Sequence, residues 1–284
     1  MPGGGIILPR IGKEGTMASR SGKIRVGIGG WKFAPWRETF YPDGLAQKNE
    51  LEYASRHMTA IEVNSTFYAA QKPATYAKWR SETPDGFVFS LKAPGLITQV
   101  RDATRSKRGI QAFVFGGLAE LGDRLGPISW QFPPSRKFDA SEFAAFLDLL
   151  PANLDGTPLR HVLEVRHESF RCEEYVQLAR ERKLPTVYTD SDEYPSIADI
   201  TGDFVYARLM RSRSSITTGY TKPELERWAE NVRAWAAGRA PDDLDYVSRS
   251  PAPVRKRDVF VYFISAAKER NPAAAMTLRE RLER

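Results

Sequence analysis

Short runs of β-branched and aromatic residues alternate along this chain with longer stretches in which apolar residues recur every three or four positions. The short runs read as strands, and the 3.6-residue period reads as amphipathic helix. Eight strands are predicted: Ile24–Gly29, Ala60–Asn64, Val88–Lys92, Ile128–Phe132, Val162–Arg166, Thr186–Asp190, Phe204–Leu209 and Val259–Phe263. Helices are predicted over Leu51–His57, Ala74–Ser81, Ile110–Leu121, Ser141–Leu150, Glu173–Lys183, Pro223–Ala236 and Pro272–Leu282. Ser141 carries a hydroxyl suited to capping free N–H groups, and Pro223 sits where a missing N–H costs nothing.

Eight alternating units predict a parallel sheet closed into a single TIM-like (β/α)8 barrel. An open doubly wound sheet is the alternative. It would carry a glycine-rich phosphate loop after the first strand, but Gly27-Ile28-Gly29-Gly30-Trp31-Lys32 puts Lys32 at the third glycine position. No cofactor is implied. Residues 1–21 read as a flexible tail, with Met17 as an alternative start, and 22–284 as the barrel domain. Two long polar stretches, Arg211–Tyr220 and Gly238–Arg257, read as loops. The first falls on the catalytic face and the second on the opposite face, where mobility is expected.

Side-chain parity then points to chemistry. On strand two Ile61 and Val63 share one face while Glu62 and Asn64 share the other. The same split separates Leu91 from Lys92, Trp130 from Gln131, Leu163 and Val165 from Glu164 and Arg166, and Ala207 from Arg208. The apolar face must meet the helices, so the polar face lines the lumen. Glu62, Lys92 and Asp190 are the expected catalytic groups. Trp31, Asn64, Gln131, Glu164, Arg166, His167 and Arg208 are the expected substrate-binding groups. Arg166 and Arg208 are expected nearest the mouth, open to water, with Glu62 and Glu164 one layer deeper. An internal ion-pair network without catalysis is the competing reading.

Composition narrows the partners. The 284 residues include 42 Lys+Arg against 35 Asp+Glu, formally +7, which favours anionic partners. One cysteine, Cys172, and three histidines leave no disulfide framework and no imidazole-rich metal site. Lys92, Arg166 and Arg208 would repel a divalent cation from the same mouth, so no metal is expected. No stretch has the length of a membrane span and the N-terminus does not read as a signal peptide, which predicts a cytoplasmic protein without a membrane partner. There is no G-x-S-x-G and no H-E-x-x-H. The basic run Arg101–Arg108 reads as a loop after strand three. A small anionic ligand is the first partner expected and nucleic acid the alternative. Nothing in the sequence sets an oligomeric state.

Several blocks together resemble the YecE-like family, a domain of unknown function. They are Gly27–Pro42 (GIGGWKFAPWRETFYP), Ile61–Tyr68 (IEVNSTFY), Trp79–Pro84, Phe87–Lys92 (FVFSLK), Leu125–Pro134 (LGPISWQFPP) and Leu163–His167 (LEVRH). The resemblance runs from about Ile24 to Leu282 and implies a TIM-like barrel without an assigned reaction. The chain departs from the family pattern at Gln99, where a His is usual, at Met210-Arg211, where His-Gly is usual, and at Ile264-Ser265, where Asn residues are usual. The combined expectation is a metal-independent hydrolase or lyase for a small anionic or phosphorylated substrate; the alternative is a nucleic-acid or polyanion binder without catalysis.

Overall fold

A computed structural model describes residues 22–284; the tail predicted over residues 1–21 lies outside the described residues. The barrel strands are β1 (Ile24–Gly29), β2 (Ala60–Val63), β3 (Val88–Lys92), β4 (Leu125–Phe132), β5 (His161–Val165), β6 (Val187–Asp190), β7 (Phe204–Leu209) and β8 (Asp258–Phe263). All pair in parallel in the order β5-β4-β3-β2-β1-β8-β7-β6. Register is set by pairs such as Gly29 with Glu62, Gln131 with Glu164 and Tyr262 with Arg208. The ring closes between β5 and β6 through one bridge, Leu163 with Thr186, where the Leu163 N–H donates to the Pro185 carbonyl at 2.9 Å. The fold is a single (β/α)8 TIM-like barrel.

The alternation read from the sequence sorts side chains into two apolar clusters. Ile28, Ile61, Val63, Leu91, Trp130, Leu163, Val165, Ala207 and Val261 face outward into the layer beneath the helices. Ala60, Val88, Val162, Val187, Phe204, Tyr206, Phe260 and Tyr262 fill the lumen. The outer layer holds fully buried Trp36, Trp130, Trp228 and Trp235. Each large apolar side chain buried in this way contributes roughly 1.5–3 kcal/mol.

Local signals explain most helix positions. Lys222–Ala236 opens on a capping box in which Thr221 and Glu224 satisfy each other's backbone N–H groups. Ala140–Leu147 is capped by Asp139, which accepts from the Glu142 N–H, whereas Ser141 donates its hydroxyl to that same carboxylate. Ser141 is therefore not the cap; a carboxylate two residues earlier reaches the free N–H groups first. The run 101–108 is not a loop beyond its first two residues. Asp102 caps a helix over Ala103–Val114 by accepting from the Arg105 N–H. The helix predicted to reach Leu121 stops at Val114, because Gly117 takes φ 132° and a 3-10 segment, Leu118–Arg124, follows.

Both long loops are pinned. Asp199 accepts the N–H groups of Val247 and Ser248 at 2.7 and 3.0 Å. The buried Arg257 guanidinium donates to the carbonyls of Gly202, Gly238, Arg255 and Pro253. These bonds tie 238–257 to the barrel. Across 211–220, the Arg211 N–H donates to the Tyr220 hydroxyl at 2.9 Å and the Arg213 N–H to the Gly219 carbonyl at 2.7 Å. Among the described residues no helix is long and apolar enough to cross a membrane.

Candidate functional site

The C-terminal ends of the strands surround a pocket of about 290 Å³. Asn64 follows β2, Lys92 ends β3, Arg166 follows β5 and Arg208 lies on β7; Ser265, Lys268 and Asn271 enter from the segment after β8. Gly29, Tyr68 and Ile264 complete the lining. Gly29 has a steric purpose: a Cβ there would stand 3.0 Å from Asn64 Nδ2. The Asn64 carboxamide makes no hydrogen bond among the described residues, so its donors and acceptor are left for a ligand.

Beneath the pocket lies a buried charge cluster. Arg208 is 2% exposed and reaches both lumen carboxylates: Nη2 donates to Glu62 Oε1 at 3.3 Å, Nη1 donates to Glu164 Oε1, and Nε stands 3.2 Å from Glu62 Oε2. The Tyr206 hydroxyl donates to Glu62 Oε2 at 2.7 Å. Arg166 donates to Glu164 from Nε at 2.7 Å, and its guanidinium stacks on the Tyr194 ring at 4.1 Å. Burial alone would push the Glu164 carboxyl up, but the positive charges of Arg208, Arg166 and Lys92 outweigh it and hold it at about 2. Its second oxygen has no hydrogen-bond partner.

Lys92 stands differently. It is buried, it donates to the Gln131 side-chain oxygen, and its ammonium lies 4.6 Å from the centre of the Phe67 ring. Among the described residues it has no ion-pair partner. Burial and the nearby Arg208 charge bring its ammonium down to about 8. Lys268 also lacks a carboxylate partner among the described residues; its ammonium rests over the rings of Phe33 and Trp36 at 4.6 and 5.4 Å, and burial lowers its pKa.

Four of the ten sequence-selected residues line the pocket: Asn64, Lys92, Arg166 and Arg208. Glu62, Glu164 and Gln131 lie behind it and hold those cations. Three stand apart. Asp190 shares the outward face of β6 with Tyr188 and pairs with Arg211 at 3.4 Å, because Val187 and Thr189 take the inward face. Trp31 is buried against Trp79 and Phe89 in the outer layer and offers no stacking surface at the mouth. His167 caps the short turn Glu168–Phe170, its Nδ1 accepting the Ser169 N–H at 3.0 Å. The expected layering also changes: Arg208 borders the pocket but is almost wholly buried, since two carboxylates inside the lumen require a cation between them. Sequence reading missed Tyr68, Ser265, Lys268 and Asn271. The segment after the eighth strand is a habitual anion-binding region of such barrels, and that rule points to Lys268.

A closed parallel barrel with a cation-rich pocket at the C-terminal ends of its strands defines a TIM-type protein. The chain belongs to the family described as Protein of unknown function DUF72, whose model matches residues 25–284. It is 30% identical over 150 residues to UPF0759 protein YecE of Escherichia coli K12, spanning 52% of this chain and 50% of the relative. It is 34% identical over 153 residues to UPF0759 protein YunF of Bacillus subtilis 168, spanning 52% of each. The matched stretch thus spans about half the length of these curated relatives. The crystal structure of a DUF72 family protein from Thermotoga maritima MSB8 superposes with a TM-score of 0.71 at 22% identity, covering 92% of this chain and 100% of that one.

Proposed function

We propose that the protein is a metal-independent hydrolase or lyase acting on a small anionic or phosphorylated substrate in the mouth pocket. One observation carries this reading: the site holds more positive than negative charge. Lys92, Arg166, Arg208 and Lys268 line the pocket against the two carboxylates Glu62 and Glu164 behind it, and among the described residues neither lysine has a carboxylate partner. An anion entering the pocket completes the charge balance, whereas a divalent cation would be repelled. Lys268, Arg166 and Asn64 bind the anionic group. Lys92, its ammonium lowered to about 8, gives or takes the proton. Gln131 aims Lys92, and Glu62 and Glu164 fix the guanidiniums. The test is calorimetric titration with sulfate and phosphate, followed by a turnover screen on phosphoesters and on small carboxylates prone to elimination, with and without chelator. Saturable anion binding lost in Arg166→Ala supports the reading; no binding overturns it.

A second reading is favoured by exposed aromatic and basic side chains. Tyr68 is 83% exposed beside the pocket, and on the helix Ala103–Val114 Arg105, Lys107 and Arg108 are exposed and, among the described residues, make no ion pair. Aromatic and cationic groups together suit a single-stranded polynucleotide. Gel shifts with RNA and DNA across a salt series separate it from the first reading, because backbone binding weakens steeply with salt.

A further inference from the structure

We propose that Lys92 is a nucleophile that captures the carbonyl carbon of a small oxo acid as an imine. The inference rests on the anion-binding reading of the pocket and names its substrate class. A lysine buried for structural reasons is normally held as ammonium by a carboxylate. Here the two lumen carboxylates are taken by arginines, Glu62 by Arg208 and Glu164 by Arg208 and Arg166. Lys92 is left with the neutral amide oxygen of Gln131 and the face of Phe67. It is the last residue of a lumen-facing strand, and it opens onto a pocket of about 290 Å³ whose other walls carry Arg166, Lys268 and the unpaired amide of Asn64. Those groups can hold a carboxylate while its neighbouring carbonyl meets the amine. With its ammonium lowered to about 8, about a tenth of Lys92 is free amine at pH 7.

The Nζ lone pair adds to the carbonyl carbon and the C=O pair moves onto oxygen. That oxygen takes one proton from the nitrogen and one from solvent, then leaves as water. The product is a protonated imine that draws electrons from the adjacent carbon, the activation that a carbon–carbon cleavage or an elimination requires.

The test is reductive trapping of the intact protein with pyruvate and sodium cyanoborohydride, followed by peptide mapping. The expected result is a reduced pyruvate adduct on Lys92, formed about tenfold faster than on the average surface lysine. Sulfate should slow that labelling, and Lys92→Met should abolish it. Adducts spread over surface lysines with Lys92 unmodified overturn the proposal. If sulfate binds by calorimetry and Lys92 stays unlabelled, the imine fails while the anion site stands. If sulfate does not bind either, both fail. Wild-type labelling decides the matter even if Lys92→Met does not fold.

Discussion

Arg208 and Glu62 stand 146 residues apart in the chain and 3.2 Å apart across the lumen. Arg208 also neutralises Glu164, so one guanidinium serves two buried carboxylates. Replacing it with Ala leaves both acids without this partner inside the barrel. Arg208→Ala should therefore cost about 3–5 kcal/mol of stability. Arg166→Ala, at a side chain 13% exposed, should cost less and act mainly on anion affinity. Urea unfolding midpoints of the two variants, beside their sulfate titrations, check the division.

Lys92 and Glu164 give opposite signatures with pH. Glu164 is held at about 2, below its unfolded value, so its stabilisation is present above the unfolded value and is lost as pH falls from there toward 2. Lys92 is depressed from 10.5 to about 8, so the unfolded chain binds more protons between those values. Its cost is full below pH 8 and is relieved as pH rises through 8 toward 10.5. Glu164→Gln should flatten the acid limb of the stability profile, and Lys92→Met the alkaline limb. Thermal melts across pH read both. Sulfate affinity should fall above pH 8 in the wild type and lose that step in Lys92→Met.

Two glycines separate pocket from scaffold. A Cβ on Gly29 meets the Asn64 amide at 3.0 Å, whereas one on Gly27 would stand 2.0 Å from the Ala60 carbonyl oxygen. Gly29→Ala should weaken sulfate binding by about 1 kcal/mol, one hydrogen bond's worth, with little change in melting. Gly27→Ala should disrupt pairing of β1 with β2 and yield little folded protein. Circular dichroism and calorimetry on both variants check this.

Arg257 predicts an effect far from the mouth. Its side chain is the latch of the 238–257 segment, donating to four backbone carbonyls. Arg257→Ala should expose that segment to trypsin and leave sulfate affinity unchanged. Limited proteolysis with mass mapping reports the first, titration the second.

Strand parity carried the sequence reading far. Glu62, Lys92, Gln131, Glu164 and Arg208 all turned inward because their strand partners Ile61, Leu91, Trp130, Leu163 and Ala207 are apolar enough to demand the helix side. Asp190 escaped because Tyr188, Thr189 and Asp190 lack that contrast: tyrosine packs on either face. Trp31 and His167 follow strand ends, where the period of two no longer applies and loop course decides. Lys268 lies on a loop whose path depends on Asn271 donating to the Ser265 carbonyl and accepting from Ser212, contacts no local pattern announces.

Seven of the eight strand junctions are ladders of several residue pairs, the β3–β4 ladder shifting register between Phe89 and Leu91, while β5 and β6 share a single bridge. Below that seam a second cavity of about 620 Å³ is walled by Leu159, His161, Leu184 and Pro185. The barrel is therefore not equally strong around its circumference. Amide hydrogens flanking the seam should exchange through openings far cheaper than global unfolding, and those of β1, β2 and β8 only through the latter. A closed ring with one weak junction behaves mechanically as a curled sheet, and this is where it uncurls.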